Sequence, residues 1–518
     1  MEMIIISFII LIISIAISFR YYFKINTNSK INRKTLPPQP PNAWPFIGHL
    51  PHLRGHKPVA RILGAMADKH GPIFSLRLGS HPAVVVSNWE LIKDCFTTND
   101  RIFASRPDMA ITKHIVYKGA VFALAPYGPF WRDTRKIVTS QLFTSQQLEK
   151  LSHVRASEID RSIKDLYCTR DEKGVLDLSE WCEDLTFNTA IRMLVGNSNK
   201  NNGGDQDQEW ELRRAIKKVL YLSGLVVVSD AIPSLEWMDI GGYLKAMKTT
   251  TEEIDKILED WLQERVLART RCDDGDDHSS LMDVMLSIPN ENYVLEGHNR
   301  EKIIKATMLI LLMAGSESTA EALIWAVSLL LNNPRALKIA QQELDTRVGR
   351  QRPVEEGDIK NLNYLQAIVK ETLRLYPPGP LSGPRESTED GYIGKYYVPK
   401  GTRIVVNLWK LHRDPKVWSN PDEFRPERFL EEHKNVGYMG QNFEYTPFGS
   451  GRRMCPGVSF ALHVVHLGLA RFLQGFCVST PMNRLVDMRE GKGLALPKVK
   501  PLVVALVPRL TRELYENL

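Results

Sequence analysis

The pattern of hydrophobic and polar positions predicts a chain that is mostly helical. In several segments the apolar residues recur every three to four positions, which is the pattern of an amphipathic helix. Strand-like segments are fewer and shorter, rich in β-branched residues and bounded by Gly, Pro or Ser. The helical segments are residues 148–165, 210–222, 242–269 and 458–476, and the strand-like segments are residues 72–78, 83–86 and 403–407. The predicted fold class is therefore mainly α with small β-sheets.

The longest predicted helix, residues 302–331, should pass through the core. A helix of this length spans about 45 Å, and Pro334 ends it because proline cannot continue the helical hydrogen bonding. Residues 308–314 are apolar on every face, which is typical of a helix that is buried on all sides.

Polar groups nevertheless occupy the middle of this helix, where residues 314–319 read AGSEST. Burial of a carboxyl and of hydroxyl groups is costly unless each finds a partner. We therefore predict that a cavity or a proton path uses Glu317, Ser318 and Thr319. The alternative is an incidental polar face of the helix.

The N-terminus predicts a membrane anchor within residues 1–24. Residues 3–19 carry no charge and span about 26 Å as a helix. The segment begins after an acid, Glu2, and residues 20–24 are aromatic and basic, which predicts an uncleaved anchor with its C-terminal side in the cytosol. A cleaved signal peptide is the alternative.

Residues 25–45 predict a basic and proline-rich hinge. Five prolines between positions 37 and 45 favour a stiff, extended spacer over an ordinary loop. The body, residues 46–518, has no visible repeat and is predicted to be one domain. Two polar stretches, residues 197–208 and 271–279, are predicted to be exposed loops within it.

Composition excludes several classes of protein. The 518 residues are 43% hydrophobic, enough for a large core, and 33 Gly and 30 Pro are too few for a collagen-like or disordered chain. The net charge of +7 owes much to five bases in the first 34 residues, so a surface for nucleic acid is not expected. None of the six cysteines is spaced C-x-x-C, which argues against a zinc knuckle and favours a reducing compartment.

One cysteine lies in an unusual context. Cys455 follows Arg452 and Arg453 in the glycine-rich segment 447–457, and an apolar helix begins just after it. Cations and a helix N-terminus favour thiolate over thiol, and the glycines let a flat ligand approach the backbone. We therefore predict a thiolate that binds a metal from one face. The alternative is a small buried apolar side chain.

The run F-x-x-G-x-R-x-C-x-G resembles the haem-binding loop of the cytochrome P-450 monooxygenases, and three further motifs resemble the family in the same order. The loop residues are Phe448, Gly451, Arg453, Cys455 and Gly457, and the other motifs contain Trp131 with Arg135, Glu371 with Arg374, and Arg428. The resemblance implies that haem b is the cofactor and that the Cys455 thiolate is its axial iron ligand. It covers essentially the whole chain and implies the P-450 fold, with haem between the long helix and the Cys455 loop.

The resemblance also implies roles for the motif residues. Trp131, Arg135 and Arg453, with Arg385, would contact the haem propionates, because two buried carboxylates need several donors. Glu371, Arg374 and Arg428 would form a buried structural network. Phe448 would lie against the haem.

By the same resemblance the long helix crosses the distal face of the haem, and Gly315 leaves room there for oxygen. Glu317, Ser318 and Thr319 would deliver protons, although family members usually carry Asp and Thr where this chain has Glu317 and Ser318. The departure leaves open poorer coupling of electron use to product formation, or a haem-thiolate rearrangement that consumes no oxygen.

The resemblance predicts a lipophilic substrate and places it near the plant microsomal hydroxylases of alkaloids, flavonoids, coumarins and terpenoids. The substrate-lining segments would be residues 106–124, 221–228, 312–318, 380–382 and 494–496, with Ala314, Gly315, Leu381 and Leu496 as pocket residues. The implied location is the endoplasmic reticulum membrane, with the catalytic domain (46–518) in the cytosol.

The implied partner is NADPH–cytochrome P-450 reductase, which would supply electrons from NADPH. It would dock on a basic face formed by Arg132, Arg135, Lys136, Arg452 and Arg453. Two alternatives to a monooxygenase remain: a haem-thiolate isomerase, and a non-catalytic membrane haem protein in which Cys455 is structural.

Overall fold

The structure is a computed structural model that describes residues 34–115, 117–173, 175–196, 204–225, 227–271, 280–289 and 298–518. The predicted anchor and the first part of the hinge, residues 1–33, lie outside the described residues. Most of the two predicted polar loops, residues 197–203 and 272–279, also lies outside them.

The helices are α1 Val59–His70, α2 Trp89–Phe96, α3 Asp100–Phe103, α4 Ala110–His114, α5 Pro129–Ile137, α6 Ser145–Lys150, α7 Ser152–Lys173, α8 Leu178–Val195, α9 Gly204–Ser223, α10 Val228–Ala231, α11 Tyr243–Arg271, α12 Leu281–Ser287, α13 Arg300–Asn332, α14 Pro334–Arg347, α15 Asn363–Leu375, α16 Leu408–Leu411, α17 Val458–Gly475 and α18 Arg512–Glu516. The strands are β1 Ile73–Leu78, β2 His81–Val86, β3 Leu176–Asp177, β4 Arg385–Glu386, β5 Gly391–Ile393, β6 Tyr396–Val398, β7 Arg403–Val406, β8 Phe476–Ser479 and β9 Val503–Pro508. The prediction of a mainly α fold with small sheets is confirmed.

The three predicted strands belong to one sheet in the order β1-β2-β7-β4. β1 and β2 pair antiparallel, β2 and β7 pair parallel with Val84 opposite Ile404, and β4 pairs antiparallel with β7. The other sheets are β3-β9-β8 and β5-β6. Strand β4 contains Arg385, so the main sheet fixes the position of that guanidinium.

One predicted helix, residues 148–165, is in fact two. Helix α6 ends at Lys150 and α7 begins at Ser152, with Leu151 between them. The buried guanidinium of Arg155 donates to the Leu148 carbonyl oxygen at 2.7 Å, the oxygen that would accept the Ser152 N–H in a continuous helix. A tertiary hydrogen bond therefore replaces a helical one at this break.

Helix α13 confirms the prediction of a long core helix. The Asn299 side chain accepts from the Lys302 N–H at 3.1 Å and caps its start, and Pro334 follows its end. Among the described helices α13 is the one long and apolar enough to cross a bilayer, but most of it is buried by protein. It packs mainly against α8 and also against α17.

The core consists of two large hydrophobic clusters that meet along α13. Residues 303–313 of α13 belong to one cluster with α8, α11 and α12. Residues 320–330 belong to the other with α14, α15 and α17. The polar segment 314–319 therefore lies at the junction of the two clusters, where their packing leaves cavities on both sides of the helix.

Candidate active site

A cavity of about 350 Å³ lies between α13 and the loop that precedes α17, and Cys455 is part of its wall. The loop turns through Gly449 and Gly451, whose φ angles of 72° and 67° favour glycine. A Cβ atom at Gly451 would lie 2.7 Å from an Asp100 carboxylate oxygen. The Cys455 N–H donates to the Phe448 carbonyl at 3.0 Å, and this bond holds the thiol at the cavity wall.

The electrostatics of the thiol differ from the prediction. Burial raises the pKa of Cys455, while a hydrogen bond to the Gly457 backbone and the positive charge of Arg135 act to lower it. The arginines that precede Cys455 in sequence point elsewhere: Arg452 donates to the Tyr127 hydroxyl at 3.0 Å, and Arg453 donates to backbone carbonyls. The cation that acts on the sulfur therefore comes from α5 and not from the loop itself.

Four guanidinium groups, here called the cavity cluster, belong to Arg106, Arg135, Arg385 and Arg453 and line the same cavity. They are held mainly by backbone carbonyls. Arg453 donates to Ala104 and Ala125 at 2.7 and 2.6 Å, and Arg135 donates to Met454 at 2.6 Å. Arg106 donates to Ala123 and Pro384 at 3.0 and 2.6 Å. Arg453 also lies over the Trp131 ring, 4.5 Å from its centroid.

The cavity cluster carries more positive charge than its surroundings balance. In the described part of the chain, the only carboxylate in an ion pair with any of the four is that of Asp100, 3.1 Å from Arg385. Burial and the neighbouring guanidiniums lower the pKa of Arg453 to about 8, and burial with Arg385 lowers that of Arg106 to about 9. Arginine keeps its charge in proteins, and the lowered pKa values show that these charges lack a balancing anion. The cluster is therefore suited to an anionic ligand with two carboxylates.

These observations fit haem b. Arg106, Arg135, Arg385 and Arg453 would hold the propionates, Cys455 would bind the iron, and Trp131 and Phe448 line the same cavity. The structure thus brings together every residue predicted to contact the haem. It adds Asp100, which belongs to none of the predicted motifs, and Arg106, which the sequence predicts only as the start of a substrate-lining segment. Their signal was weak, because an arginine before Pro107 indicates only an extended backbone.

The opposite part of the wall contains Ala314, Gly315, Ser318, Thr319 and Leu381, as predicted. The Ser318 hydroxyl donates to the Ala314 carbonyl at 2.6 Å. The Thr319 hydroxyl is buried and has no hydrogen-bond partner within the described ranges. Much of the remaining wall is apolar and includes residues that the sequence did not point to: Ala190, Met193, Leu194, Leu281, Ile310 and Leu311.

Two predicted site residues lie outside this cavity. Leu496 is 1% exposed and packs in a small core cluster, where its carbonyl accepts the Trp325 indole N–H at 2.9 Å. Glu317 lines a second cavity of about 510 Å³ on another face of α13, here called the outer cavity. The predicted substrate segments 221–228 and 494–496 contribute to the outer cavity through Tyr221, Gly224, Leu225 and Leu494. Packing of the C-terminal segment against Trp325 keeps Leu496 out of the cavity, whereas Glu317 lies outside it because neighbouring residues on a helix point in different directions.

The predicted structural network is present and is here called the scaffold cluster. Arg374 donates to both Glu371 carboxylate oxygens at 2.7 and 2.9 Å, and Arg428 donates to one of them at 2.9 Å; all three side chains are fully buried. Arg374 also donates to the His412 carbonyl at 2.7 Å.

His412 connects this cluster to the Cys455 loop. Burial and the nearby arginines lower the pKa of His412 to about 3, so the ring is neutral and accepts the Thr446 N–H at 3.0 Å. Thr446 lies two residues before Phe448. The scaffold cluster therefore supports the loop from behind.

Comparisons with known proteins agree with this site. The family model for cytochrome P450 matches residues 38–505. A xanthotoxin 5-hydroxylase from Arabidopsis thaliana is 49% identical over 92% of this chain and 94% of its own length. A nicotine N-demethylase from Nicotiana tomentosiformis is 44% identical over 97% of this chain and 98% of its own.

Among solved structures, a zebra fish cytochrome P450 with abiraterone has a TM-score of 0.73 at 27% identity, covering 87% of this chain and 99% of its own. The family match, the two relatives and the cysteine–arginine cavity agree. This chain belongs to the cytochrome P450 family, the haem-thiolate monooxygenases.

Proposed function

We propose that this monooxygenase inserts one oxygen atom of O2 into a lipophilic plant specialised metabolite, with electrons from NADPH–cytochrome P450 reductase, at the endoplasmic reticulum membrane. The observation that carries the proposal is the cavity itself. Its wall combines a cysteine sulfur, four arginines and an apolar surface beside α13. Among the described residues, only one carboxylate forms an ion pair with these arginines.

When bound, haem supplies the iron that activates O2. Cys455 would bind this iron through its sulfur, and the guanidiniums of the cavity cluster would hold the propionates and so orient the ring. The scaffold cluster keeps the Cys455 loop in place. Leu381, Ile310 and Leu311 line the cavity, where they would exclude water and contact the substrate.

Proton delivery would use the polar middle of α13. The Ser318 and Thr319 hydroxyls reach the haem cavity, whereas Glu317 lies on the side of the outer cavity. Burial and the charge of Glu183 raise the pKa of Glu317 to about 7, so its carboxyl both holds and releases a proton near neutral pH. Because Glu317 faces the outer cavity and the two hydroxyls face the haem cavity, a rotation of the Glu317 side chain around α13 would carry its proton to Ser318.

The substrate class follows from the wall. Few polar groups face the substrate side, so a lipophilic molecule without a required charge fits best. The named relatives act on xanthotoxin and nicotine, which supports a small plant metabolite of similar character.

A membrane location is supported by an exposed apolar surface. Trp44 and Phe46 are 56% and 50% exposed, and Trp237 and Met238 are 81% and 49% exposed. Backbone hydrogen bonds from the turn between β1 and β2 to Ile47 (3.1 Å) and to Ala231 (2.9 Å) bring the two segments near each other. Together with the predicted anchor in residues 1–24, this surface would rest on the bilayer. Removal of residues 1–24 should weaken membrane flotation, and additional Trp237→Ser and Met238→Ser changes should abolish it.

Reductase docking is supported by the exposed bases beside the Cys455 loop. Arg132, Lys136 and Arg452 are exposed, whereas Arg135 and Arg453 point inwards to the cavity. We expect Arg132→Glu with Lys136→Glu to slow the first electron transfer from reductase and to weaken its salt dependence, with the haem spectrum unchanged. The control is the same change from positive to negative charge at a distant site, Lys69→Glu at the exposed Lys69 on α1.

The decisive experiment is the difference spectrum of the reduced, carbon monoxide-bound protein. We expect the red-shifted Soret band of a thiolate-ligated haem, and we expect Cys455→Ser to lose it. A wild-type protein without that band would refute the proposed function.

Turnover with reductase then separates the reaction types. Product formation that requires both NADPH and O2 indicates a monooxygenase, whereas product formation without them indicates an isomerase. Type I spectral shifts with a panel of plant metabolites would identify candidate substrates, and Leu381→Phe should abolish such shifts where Leu496→Val does not.

A further inference from the structure

The outer cavity lies on the face of α13 that is turned away from the haem cavity. It is enclosed by α8, α9 and residues 492–497 of the C-terminal segment. Two carboxyl groups of α13 line it, Glu317 and Glu321. They are four residues apart and therefore lie one above the other on one helix face, while Ala314 and Ser318 lie on the face that lines the haem cavity.

Glu321 is the unusual member of this pair. It is 7% exposed, and its Oε2 atom has no hydrogen-bond partner among the residues that the structure describes. Buried polar atoms in native proteins almost always have a partner. The outer cavity, at about 510 Å³, has room for water molecules that would connect Glu321 to Glu317.

The charged groups that face this pair are already engaged or lie at the rim. Lys217 pairs with Glu183 at 2.5 Å, and Arg213 pairs with Asp184 and, at 3.5 Å, with Glu183. Lys498 donates to the Asp487 carbonyl at 2.5 Å. The remaining neighbours are the exposed Lys492 and the buried thiol of Cys182. Within the described ranges, neither Glu317 nor Glu321 has an ion-pair partner.

The two carboxyls consequently ionise one at a time. Burial, followed by the charges of Glu317 and Glu183, raises the pKa of Glu321 well above its ordinary value. Glu317 is half-buried whereas Glu321 is 7% exposed, so burial opposes the ionisation of Glu321 more strongly, and Glu317 ionises first while Glu321 keeps its proton. A neutral carboxyl that donates a hydrogen bond towards an ionised one stabilises the charged form.

We propose that Glu321 is a positioning residue for proton delivery: its neutral carboxyl donates, through water in the outer cavity, to the carboxylate of Glu317. The proton balance is simple. Glu317 gives one proton towards Ser318 and becomes a carboxylate, which Glu321 stabilises without losing its own proton, and one proton from solvent restores Glu317. This inference rests on the proposed role of Glu317 and adds the group that makes its proton easier to release.

The first test measures the titration of Glu317 directly, by infrared spectroscopy of the carboxyl stretching band in the haem-containing protein between pH 5 and 9. Glu317→Gln identifies the band by removing it. Glu321→Met, which lacks a donor, should move the midpoint upwards by about one to two pH units, because loss of a hydrogen bond to the charged form raises the pKa of Glu317. Glu321→Gln keeps an N–H donor and should restore a midpoint close to that of the wild type.

Two further variants make this test decisive. Glu301→Gln, in the exposed first turn of the same helix, is the matched control and should change nothing. Glu321→Ala also removes the donor and replaces the methionine variant if that protein does not fold. An unchanged midpoint in both donor-free variants would overturn the proposal, as would equal shifts in Glu321→Met and Glu321→Gln.

The second test measures coupling with reductase and a substrate found by spectral shifts. Glu321→Met should release more hydrogen peroxide per NADPH than the wild type, and the pH at which coupling is half-maximal should move in the same direction as the infrared midpoint. Glu321→Gln should match the wild type. Only variants whose reduced, carbon monoxide-bound spectrum shows the thiolate–haem band are compared. Failure of this inference is therefore distinct from failure of the proposed monooxygenase function.

Discussion

The scaffold cluster and the cavity cluster both bury arginines, but they differ in how many of their guanidiniums contact a carboxylate. In the scaffold cluster the Glu371 carboxylate accepts from Arg374 and Arg428, and backbone carbonyls take up their remaining N–H groups. In the cavity cluster Asp100 pairs with Arg385 alone, and the other three guanidiniums donate to backbone carbonyls.

The difference shows how to distinguish structure from ligand binding among buried charges. A cluster in which every guanidinium contacts a carboxylate is complete without a ligand, and loss of that carboxylate leaves uncompensated charge. A cluster that lines a cavity and holds guanidiniums without a carboxylate is completed by an anion from outside the chain. The haem propionates are such anions.

The largest effect should come from the scaffold cluster. Glu371→Gln leaves two fully buried guanidiniums without their carboxylate and should lower the free energy of unfolding by about 3–5 kcal/mol. Denaturant titration of the purified protein measures this loss, and most of the expressed chain should lack haem. Asp68→Asn is the control, since its exposed pair with Lys410 is worth less than about 1 kcal/mol. A Glu371 variant with wild-type stability would show that the cluster is not needed for the fold.

The next effect concerns the buried acid of α13 and depends on pH. The folded-state pKa of Glu317 is about 7 against an ordinary 4.5, so the folded state binds the proton more tightly than the unfolded state does. Stability is therefore lost as pH rises from about 4.5 to 7, by on the order of 3 kcal/mol in all. Glu317→Gln should remove this loss. Thermal unfolding of both proteins at pH 5 and pH 8 measures it, and parallel pH dependences would contradict the prediction.

The smallest effect should come from the cavity cluster. It should weaken haem binding more than it lowers the free energy of unfolding of the polypeptide. Arg453→Leu removes one charged donor and should weaken haem binding by about tenfold or more, since a hydrogen bond to a charged group contributes about 1.5–3 kcal/mol. The rate of haem transfer to an excess of apomyoglobin measures this change. Arg453→Lys keeps the charge but not the planar donor geometry, so its rate of haem transfer should lie between those of the wild type and Arg453→Leu. Equal transfer rates for all three proteins would refute the assignment of Arg453 to a propionate.

Prediction from the sequence succeeded where the signal was local and failed where it depended on packing. The periodicity of residues 302–331 was sufficient for α13, because burial on all sides leaves a continuous apolar run. The break at Leu151 was missed, because it depends on a hydrogen bond from Arg155. The family resemblance predicts Leu496 in the substrate pocket, but a hydrogen bond from the Trp325 indole holds its backbone in the core.

The chemical identity of this protein was readable along the chain, because the loop around Cys455 needs its glycines, arginine and sulfur within a few residues of one another. The motif residues around Trp131, Glu371 and Arg428 were readable for the same reason. Charge balance was not readable in this way. Asp100 and Arg385 are 285 residues apart, and only the packed chain shows that Asp100 pairs with Arg385, whereas Glu317 and Glu321 face a separate cavity. Electrostatic interactions depend on distance and burial in three dimensions, and neither quantity is encoded in local spacing.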